Sequence, residues 1–296
     1  MKITLTGSLG NISKPLTEIL VKNGHEVTVI SSDSKKTNDI EALGAKAAIG
    51  SVSDTAFLTE AFKGADAIYT MVPPNWGVGN YRKYIAGTGK NYLEAIKASG
   101  VKRVVNLSSI GAHLPEGTGP IAGLYDVEQI LNTLDGVAVK HLRAGIFYIN
   151  FFFDMKIIRN MGAMGNNYGS HTKLGMVHPR DIAAVAAQEL QGSFVGKSHR
   201  YVISDELEVA EIVKTIGAAI GKPEMTWVQF SDEETFSGMT GSGMSEAIAR
   251  TYVEMGTAIN SGILFEDFEA HKPKVWGSTK LTDFVVEFAA VYKSQQ

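Results

Sequence analysis

Short apolar runs alternate with helix-length amphipathic segments through the first half of the chain. The apolar runs predict strands at residues 2–5, 26–30, 46–49, 67–71, 103–107 and 138–143. The segments between them predict helices at residues 14–23, 39–43, 55–62, 81–99 and 122–134. Because strands and helices alternate with short links, we expect a parallel sheet that is covered by helices on both faces.

The alternation weakens beyond residue 146. Residues 147–153 are strongly aromatic and are expected to pack mostly between two lobes, whereas the glycine- and asparagine-rich residues 161–169 predict a flexible loop. Further strands are predicted at 200–203 and 226–230, and further helices at 181–190, 209–220, 244–256 and 281–293. Asp181 is expected to cap the first of these helices.

A glycine-containing loop, Thr-Gly-Ser-Leu-Gly-Asn-Ile-Ser at residues 6–13, joins the first predicted strand to the first predicted helix. Backbone N–H groups at a helix N-terminus bind the pyrophosphate of a dinucleotide, and glycine lets the backbone approach it closely. The spacing is Gly-x-x-Gly-x-x-Ser, with Ser13 in place of a third glycine. A glycine turn without a ligand is the alternative, but the position at the start of a β-α-β unit favours the ligand. The predicted cofactor contacts of the loop are Gly7, Ser8, Leu9, Gly10, Asn11 and Ile12.

This loop specifies the predicted fold class. We expect an α/β chain in which residues 1–150 form a Rossmann-type, doubly wound parallel sheet that binds NAD(P). Residues 151–296 are expected to form a smaller C-terminal α/β lobe that binds the substrate and ends in helices, packed on the first domain. Segments of the two parts are free to interleave.

The end of the second strand bears on the choice between NAD and NADP. A carboxylate there would bind the ribose 2′-hydroxyl, but the chain has Ser31 and Ser32, followed by Lys35 and Lys36. Hydroxyls and a cation suit a 2′-phosphate better, so NADP(H) is favoured over NAD(H). Asp33 is one counter-argument, because its side chain would favour NAD(H) if it turned inward. A second alternative is that the two lysines are solvated turn residues that contact no cofactor.

Composition narrows the function classes. The formal net charge of −3 over 296 residues provides no field for holding nucleic acid. No stretch of about 18 apolar residues occurs and no leader precedes the first strand, so we expect a cytoplasmic protein without membrane contact. The chain has no cysteine, and its seven histidines form no His-x-x-x-His pair, so we expect no metal site.

Several segments, in their order and spacing, resemble the NmrA-like branch of the atypical short-chain dehydrogenase/reductase superfamily. They are the loop at 6–13, Met-Val-Pro-Pro at 71–74, the strand and Ser-Ser-x-Gly turn at 100–112, Leu-Arg-Ala-Gly-Ile-Phe at 142–147, and Val-His-Pro-Arg-Asp-Ile-Ala at 177–183. Ala144 stands where that family usually has proline, and Ser51 where it often has aspartate. The group includes NADPH-dependent quinone reductases and redox-sensing regulators.

The resemblance implies a Rossmann fold with a small C-terminal substrate lobe and a cleft between the two. It places Ser31, Ser32 and Lys36 near the adenosine ribose, and Ser51 and Val52 beside the adenine. The residues that it implies at the ribose–nicotinamide side are Met71, Val72, Pro73, Ser108, Gly145 and Phe147.

The catalytic pair of the superfamily is missing from its expected place. Short-chain dehydrogenases usually transfer a proton with Tyr-x-x-x-Lys, in which the lysine cation lowers the pKa of the tyrosine. Here Tyr125 is followed four residues later by Gln129, and Leu124 stands where the lysine is usual.

Three functions therefore stay open. The first is an NADPH-dependent reductase of a quinone or a similar small apolar carbonyl compound, in which water supplies the proton. The second is a non-catalytic NADP(H) redox sensor that acts through a protein partner. The third is an ordinary reductase in which Tyr125 or Tyr148 donates the proton without a lysine. For a reductase, the aromatic run at 147–153 suits a flat small-molecule substrate.

Overall fold

The structure is a computed structural model and describes residues 1–295. Its strands are β1 Lys2–Leu5, β2 Glu26–Ser31, β3 Lys46–Ile49, β4 Ala67–Thr70, β5 Arg103–Ser109, β6 Ala138–Ala144, β7 Ile146–Phe147, β8 Ala163–Asn166, β9 Lys173–Val177, β10 Lys197–Val202, β11 Asp205–Glu208 and β12 Thr226–Gln229. Its α-helices are α1 Ser13–Lys22, α2 Thr37–Ala42, α3 Thr55–Phe62, α4 Tyr81–Ser99, α5 Ile121–Asn132, α6 Met155–Met161, α7 Pro179–Gln191, α8 Val209–Ala219, α9 Asp232–Gly241, α10 Glu246–Ser261, α11 Glu266–Ala270 and α12 Leu281–Ser294.

Seven strands form one parallel sheet in the order β10-β6-β5-β4-β1-β2-β3. The chain adds strands in one direction from β1 to β3 and then in the other from β4 onward, so the order reverses between β1 and β4. Ligands of such sheets bind in the crevice outside the carboxyl ends of the strands at this reversal. The Rossmann-type sheet predicted from the sequence is confirmed.

The strands of this sheet are apolar on both faces because helices cover both. Adjacent residues of one strand enter different cores: Ile68 and Val104 pack with α3, α4 and α5, whereas Tyr69 and Val105 pack with α1 and α7. This two-sided burial explains why the strands appear in the sequence as continuous apolar runs and show no alternation.

A second part of the molecule contains a three-stranded sheet, β11-β9-β7, and a two-stranded sheet, β12-β8. The aromatic run forms a 3₁₀ turn, Tyr148–Asp154, which buries Tyr148 and Phe151 in a core shared with Phe284 and Phe288 of α12. Most of the run therefore packs in a core, as its composition predicts. No helix in residues 1–295 is long and apolar enough to cross a membrane.

Segments of the two parts interleave, since strand β10 and helix α7 lie beyond residue 150, but β10 pairs with β6 in the large sheet and α7 packs on it. Two features of the second half differ from the sequence-based expectation. Residues 163–166, expected in a flexible loop, form β8 and pair with β12. The expected cap of α7 is also wrong: His178 caps the helix by accepting from the Arg180 amide, and Asp181 is buried inside the first turn.

Candidate functional site

The loop between β1 and α1 is built for close approach of its backbone. Gly7 has a φ of 95°, and a Cβ on it would lie 2.5 Å from Ser13 Oγ and 3.1 Å from Met71 Cγ. Ser13 Oγ donates to the Thr6 carbonyl at 2.8 Å, which packs the start of α1 against the end of β1. A small side chain at position 13 thus fills the place of the third glycine, and residue 7 has to be glycine.

The N-terminus of α1 is free to bind an anion. Ile12 precedes the helix without a side-chain cap, and the first turn contains no carboxylate. Gly10 and Asn11 are exposed, and Leu9 is half-buried. The Lys14 and Leu16 amides bond to the Gly10 and Ile12 carbonyls, and Pro15 has no N–H. The amides that precede Lys14 and the positive end of the helix dipole are therefore the groups that would hold a pyrophosphate.

Ser8 connects this loop to the end of β2. Within residues 1–295, it is the one non-glycine residue with a clearly positive φ, 54°. Its amide donates to the Ile30 carbonyl at 3.0 Å, and its hydroxyl donates to Ser31 Oγ at 2.9 Å. These two bonds hold Ser8 in a conformation that costs about 1 kcal/mol, and they fix the distance between the loop and the predicted ribose site.

The end of β2 presents hydroxyls and a lysine. Ser31 is buried, Ser32 is exposed and Lys36 is half-buried. The carboxylate of Asp33 accepts the Lys35 amide at 3.0 Å and caps the 3₁₀ turn Ser34–Lys36. This bond directs the Asp33 side chain to its own turn. An inward-turned Asp33, which would favour NAD(H), is therefore less well supported.

The predicted adenine residues lie after β3. Ser51 is exposed, and its hydroxyl lies 2.7 Å from Ser53 Oγ. Val52 is half-buried, and its carbonyl accepts from Asn91 of α4 at 3.2 Å. Both residues border the same carboxyl edge of the sheet as the loop.

The residues predicted at the nicotinamide side are held by bonds across the strand ends. The Met71 amide donates to Thr6 Oγ1 at 2.9 Å, and the Tyr92 hydroxyl donates to the Met71 carbonyl at 2.6 Å. The Pro73 carbonyl accepts from the Tyr84 hydroxyl at 2.8 Å. Because these bonds fix the backbone, the apolar side of the crevice is formed before any ligand arrives. Met71, Val72 and Pro73 are half-buried there.

Gly145 and Phe147 lie at the end of β6 and in β7. Gly145 is buried, its amide donates to the Val202 carbonyl at 3.1 Å, and a Cβ on it would lie 2.5 Å from the Gly175 carbonyl oxygen. Phe147 is half-buried against the core that holds α1 and α7. Gly145 therefore allows the close packing of β6 and β9, and Phe147 follows it as the first residue of the aromatic run.

Ser108 belongs to a buried charged network that the sequence reasoning missed. Its hydroxyl donates to Glu128 Oε1 of α5 at 2.6 Å, and Arg143 of β6 forms two bonds to the same carboxylate at 3.0 and 2.7 Å. Burial opposes the charge of Arg143, but Glu128 outweighs it and raises the pKa of Arg143. A glutamate on the apolar face of a predicted helix was the one signal in the sequence. The Ser108 hydroxyl is thus committed to Glu128.

The two tyrosines named as proton donors differ in their surroundings. Tyr125 of α5 is half-buried, and its neighbour Asp126 forms two bonds with Arg82 at 2.7 and 2.8 Å. Tyr148 is fully buried, stacks on Phe284 and donates its hydroxyl to Asp205 at 2.7 Å. Burial, followed by Asp205, raises the pKa of Tyr148. This environment argues against Tyr148 as a proton donor to a substrate in the cleft.

One group of three potential metal ligands occurs in residues 1–295, at the edge of the sheet. Ligand atoms of His199, Asp267 and His271 lie within 4.8 Å of one another. Asp267 already accepts from Arg143 Nη1 at 2.9 Å and from the Tyr201 hydroxyl, and His271 Nδ1 lies 2.8 Å from the Asp267 carbonyl oxygen. Because Arg143 and Tyr201 already occupy one oxygen of the Asp267 carboxylate, we assign no metal to the group.

Comparison with known protein families shows what kind of ligand the glycine loop and the strands around it bind. The sequence model of a family described as NAD(P)H-binding matches residues 7–138. These residues are an NAD(P)H-binding domain. The domain contains residues 7–13 of the glycine loop, the end of β2, and Ser108 with Glu128, so the predicted dinucleotide-binding function is confirmed.

Proteins that are similar to most of the chain include reductases. The chain is 26% identical to the NAD(P)H azoreductase of Xenophilus azovorans over 86% of this chain and 85% of that protein. Its structure is similar to an NADPH-dependent quinone oxidoreductase from Escherichia coli, with a TM-score of 0.80 and 20% identity over 97% of this chain and 99% of the other. It is also similar to a triphenylmethane reductase from Citrobacter sp., with a TM-score of 0.79 and 18% identity over 98% of this chain and 100% of the other. These similarities confirm the expected fold.

Proposed function

We propose that the protein is an NADPH-dependent reductase of a quinone or a similar small aromatic acceptor. The observation that carries this proposal is a fixed dinucleotide cradle beside a catalytic position without a Tyr–Lys pair. The Ser108 hydroxyl, on the predicted nicotinamide side, is committed to Glu128 at 2.6 Å. A quinone suits such a site because its reduced oxygens take protons from water, so no acid from the protein is needed.

NADPH, when bound, supplies the hydride, and the protein binds, orients and shields. Gly7 and the uncapped start of α1 would hold the pyrophosphate, since a side chain at position 7 would collide with Ser13. Met71, Pro73 and Phe147 would form an apolar wall that excludes water from the reacting face. Tyr125 stays an alternative proton donor, and Tyr125→Phe with unchanged kcat at every pH would dismiss it.

We propose NADP(H) as the cofactor in preference to NAD(H). Ser32 and Lys36 would bind the 2′-phosphate, while Asp33 is engaged by the Lys35 amide. Solved structures of the Escherichia coli quinone oxidoreductase and the Citrobacter reductase contain NADPH and NADP(H) respectively. The lack of cysteine is compatible with a reducing cytoplasm, where we propose that the protein works.

The activity is tested by following NADPH oxidation with quinones, azo dyes, aldehydes and enones. Oxidation above background with a quinone is expected, and tight NADPH binding without any oxidation would contradict the reductase. Lys36→Ala should weaken NADPH binding about tenfold, or about 1.4 kcal/mol, and leave NADH binding unchanged. Lys63→Ala, which removes an exposed lysine of a surface ion pair, is the matched control. Equal losses for NADH and NADPH in Lys36→Ala would refute the phosphate site.

The missing Tyr–Lys pair also favours a second function, a redox sensor that binds NADP(H) without turnover. Such a sensor requires a protein partner whose affinity differs between the NADP⁺-bound and NADPH-bound forms. Equal affinity in both forms, measured with any partner captured from cell extract, would dismiss this function.

A further inference from the structure

Two aromatic rings are exposed at the carboxyl edge of the large sheet. Trp76 is 47% exposed and Phe153 is 73% exposed, and they are the two aromatic side chains among the large exposed apolar residues of the described chain. Their ring centroids lie 6.2 Å apart, and the ring planes are inclined by 68°. Contacting aromatic rings that stay open to solvent form an apolar patch of the kind that marks a binding surface.

The two rings come from separate segments of the chain. Trp76 lies in the link between β4 and α4, three residues after Pro73. Phe153 lies in the 3₁₀ turn Tyr148–Asp154, which begins directly after Phe147. Because Pro73 and Phe147 belong to the proposed nicotinamide side, the rings lie in the two segments that continue from it.

The link that carries Trp76 is held by a tyrosine of α4. Tyr84 donates to the Pro73 carbonyl at 2.8 Å, and its ring stacks on Tyr81 with centroids 6.2 Å apart. Trp76 thus follows a segment that is fixed to α4, although its own side chain is 47% exposed.

We propose that Trp76 and Phe153 bind the planar ring of the acceptor and determine the preference of this site for aromatic acceptors. The proposal rests on the proposed reductase function. Ring–ring contacts add binding free energy beyond the burial of apolar area, and an aliphatic acceptor of similar size lacks them. Removal of one ring is expected to weaken aromatic binding about three- to tenfold.

The test measures binding without turnover. Anthraquinone-2-sulfonate is titrated by calorimetry into protein saturated with NADP⁺. Trp76→Ala and Phe153→Ala should each weaken binding about three- to tenfold, and Trp76→Phe should retain most of the affinity because it keeps a ring. Phe153→Leu should lose as much as Phe153→Ala. Val275→Ala, at a residue that is also 73% exposed, is the control and should bind as the wild type does.

Unchanged affinity in both alanine variants, full affinity in Phe153→Leu, or no binding to the wild type would overturn the proposal. A parallel turnover assay separates it from the reductase function. If no acceptor is reduced but binding still depends on the rings, the reductase function fails and the ring site stands. If quinones are reduced and both ring variants keep the wild-type KM, the ring site alone fails.

Discussion

Replacing Asp181 with alanine removes an acceptor that joins three segments of the chain. The Asp181 carboxylate, 6% exposed in α7, accepts from Ser204 Oγ at 2.7 Å and from the Thr279 amide at 2.9 Å. It also accepts from Thr279 Oγ1 at 3.1 Å and Ser278 Oγ at 3.3 Å. A Cβ on Gly277 would lie 2.4 Å from the same carboxylate, so the link before α12 packs tightly against it.

The cost of the substitution follows from the donors that it leaves behind. The Thr279 amide has no freedom to turn, and Ser204 is fully buried, so two donors lose their acceptor. At about 1–3 kcal/mol for each unsatisfied buried group, Asp181→Ala should lower the free energy of unfolding by about 2–6 kcal/mol. Asp181→Asn keeps one acceptor oxygen, and the hydroxyls can rotate toward its amide, so about 1–2 kcal/mol is expected.

Urea denaturation followed by circular dichroism measures both variants, with Glu224→Ala as the control because Glu224 is exposed in a turn. The control should change the free energy of unfolding by less than about 0.5 kcal/mol. If Asp181 only capped the helix, Asp181→Asn would keep the wild-type stability, since asparagine and aspartate cap equally well. Asp181→Asn with wild-type stability, or Asp181→Ala with a loss below about 1 kcal/mol, would refute the proposed role of Asp181.

Three further predictions concern pH and packing. Burial raises the pKa of Asp154 to about 7, so the wild type should lose stability as the pH rises from about 4 to 7. The loss should be on the order of 3 kcal/mol, and Asp154→Asn should remove it, as measured by urea denaturation at about pH 8. Burial lowers the pKa of His141 to about 4, so stability should fall as the pH drops from about 6.5 to 4, and His141→Gln should flatten this acid limb of the profile. Gly119 (φ 59°) and Gly117 (φ 76°) are a matched pair, because a Cβ would lie 1.9 Å from the Thr251 carbonyl oxygen at Gly119 and meet nothing within 4 Å at Gly117. Gly117→Ala should therefore cost about 1 kcal/mol and Gly119→Ala at least about 3 kcal/mol in thermal or urea unfolding, and equal costs would contradict the contact.

The elements that the sequence predicts most accurately are those with strong local signals. Strands β1 and β3 and helices α3 and α4 have the predicted bounds, since apolar runs and caps delimit them: Asp54 and Asn80 accept amides of the first turn, and Gly100 ends α4 in the left-handed conformation. Strands β7, β8, β9 and β11 escaped prediction. Each has at most five residues, and each is stabilised by pairing with a distant segment and not by its own pattern.

In the candidate site, too, the part with a strong local signal was predicted and the part without one was missed. The glycine loop is a contiguous signal, and its binding function was predicted from residues 6–13 alone. The Glu128 network was missed because its members are distant in sequence. Ser108 and Arg143 become neighbours only through the register of β5 and β6, and Glu128 reaches them from α5. Tyr148 was named as a member of the aromatic run at 147–153, but packing against Phe284 of α12 buries its ring.

Strand β10 has a consequence for any attempt to isolate the NAD(P)H-binding domain. It pairs with β6 along six residue pairs, from Lys197 to Val202, and so covers an edge of the large sheet. A fragment that ends near residue 150 would leave the backbone amides and carbonyls of β6 unpaired, which is a template for strand addition and aggregation. It would also lack α7, which covers the apolar face behind α1. An expression fragment that remains monomeric should therefore extend at least through Val202, and during synthesis the sheet is complete only after two thirds of the chain has emerged.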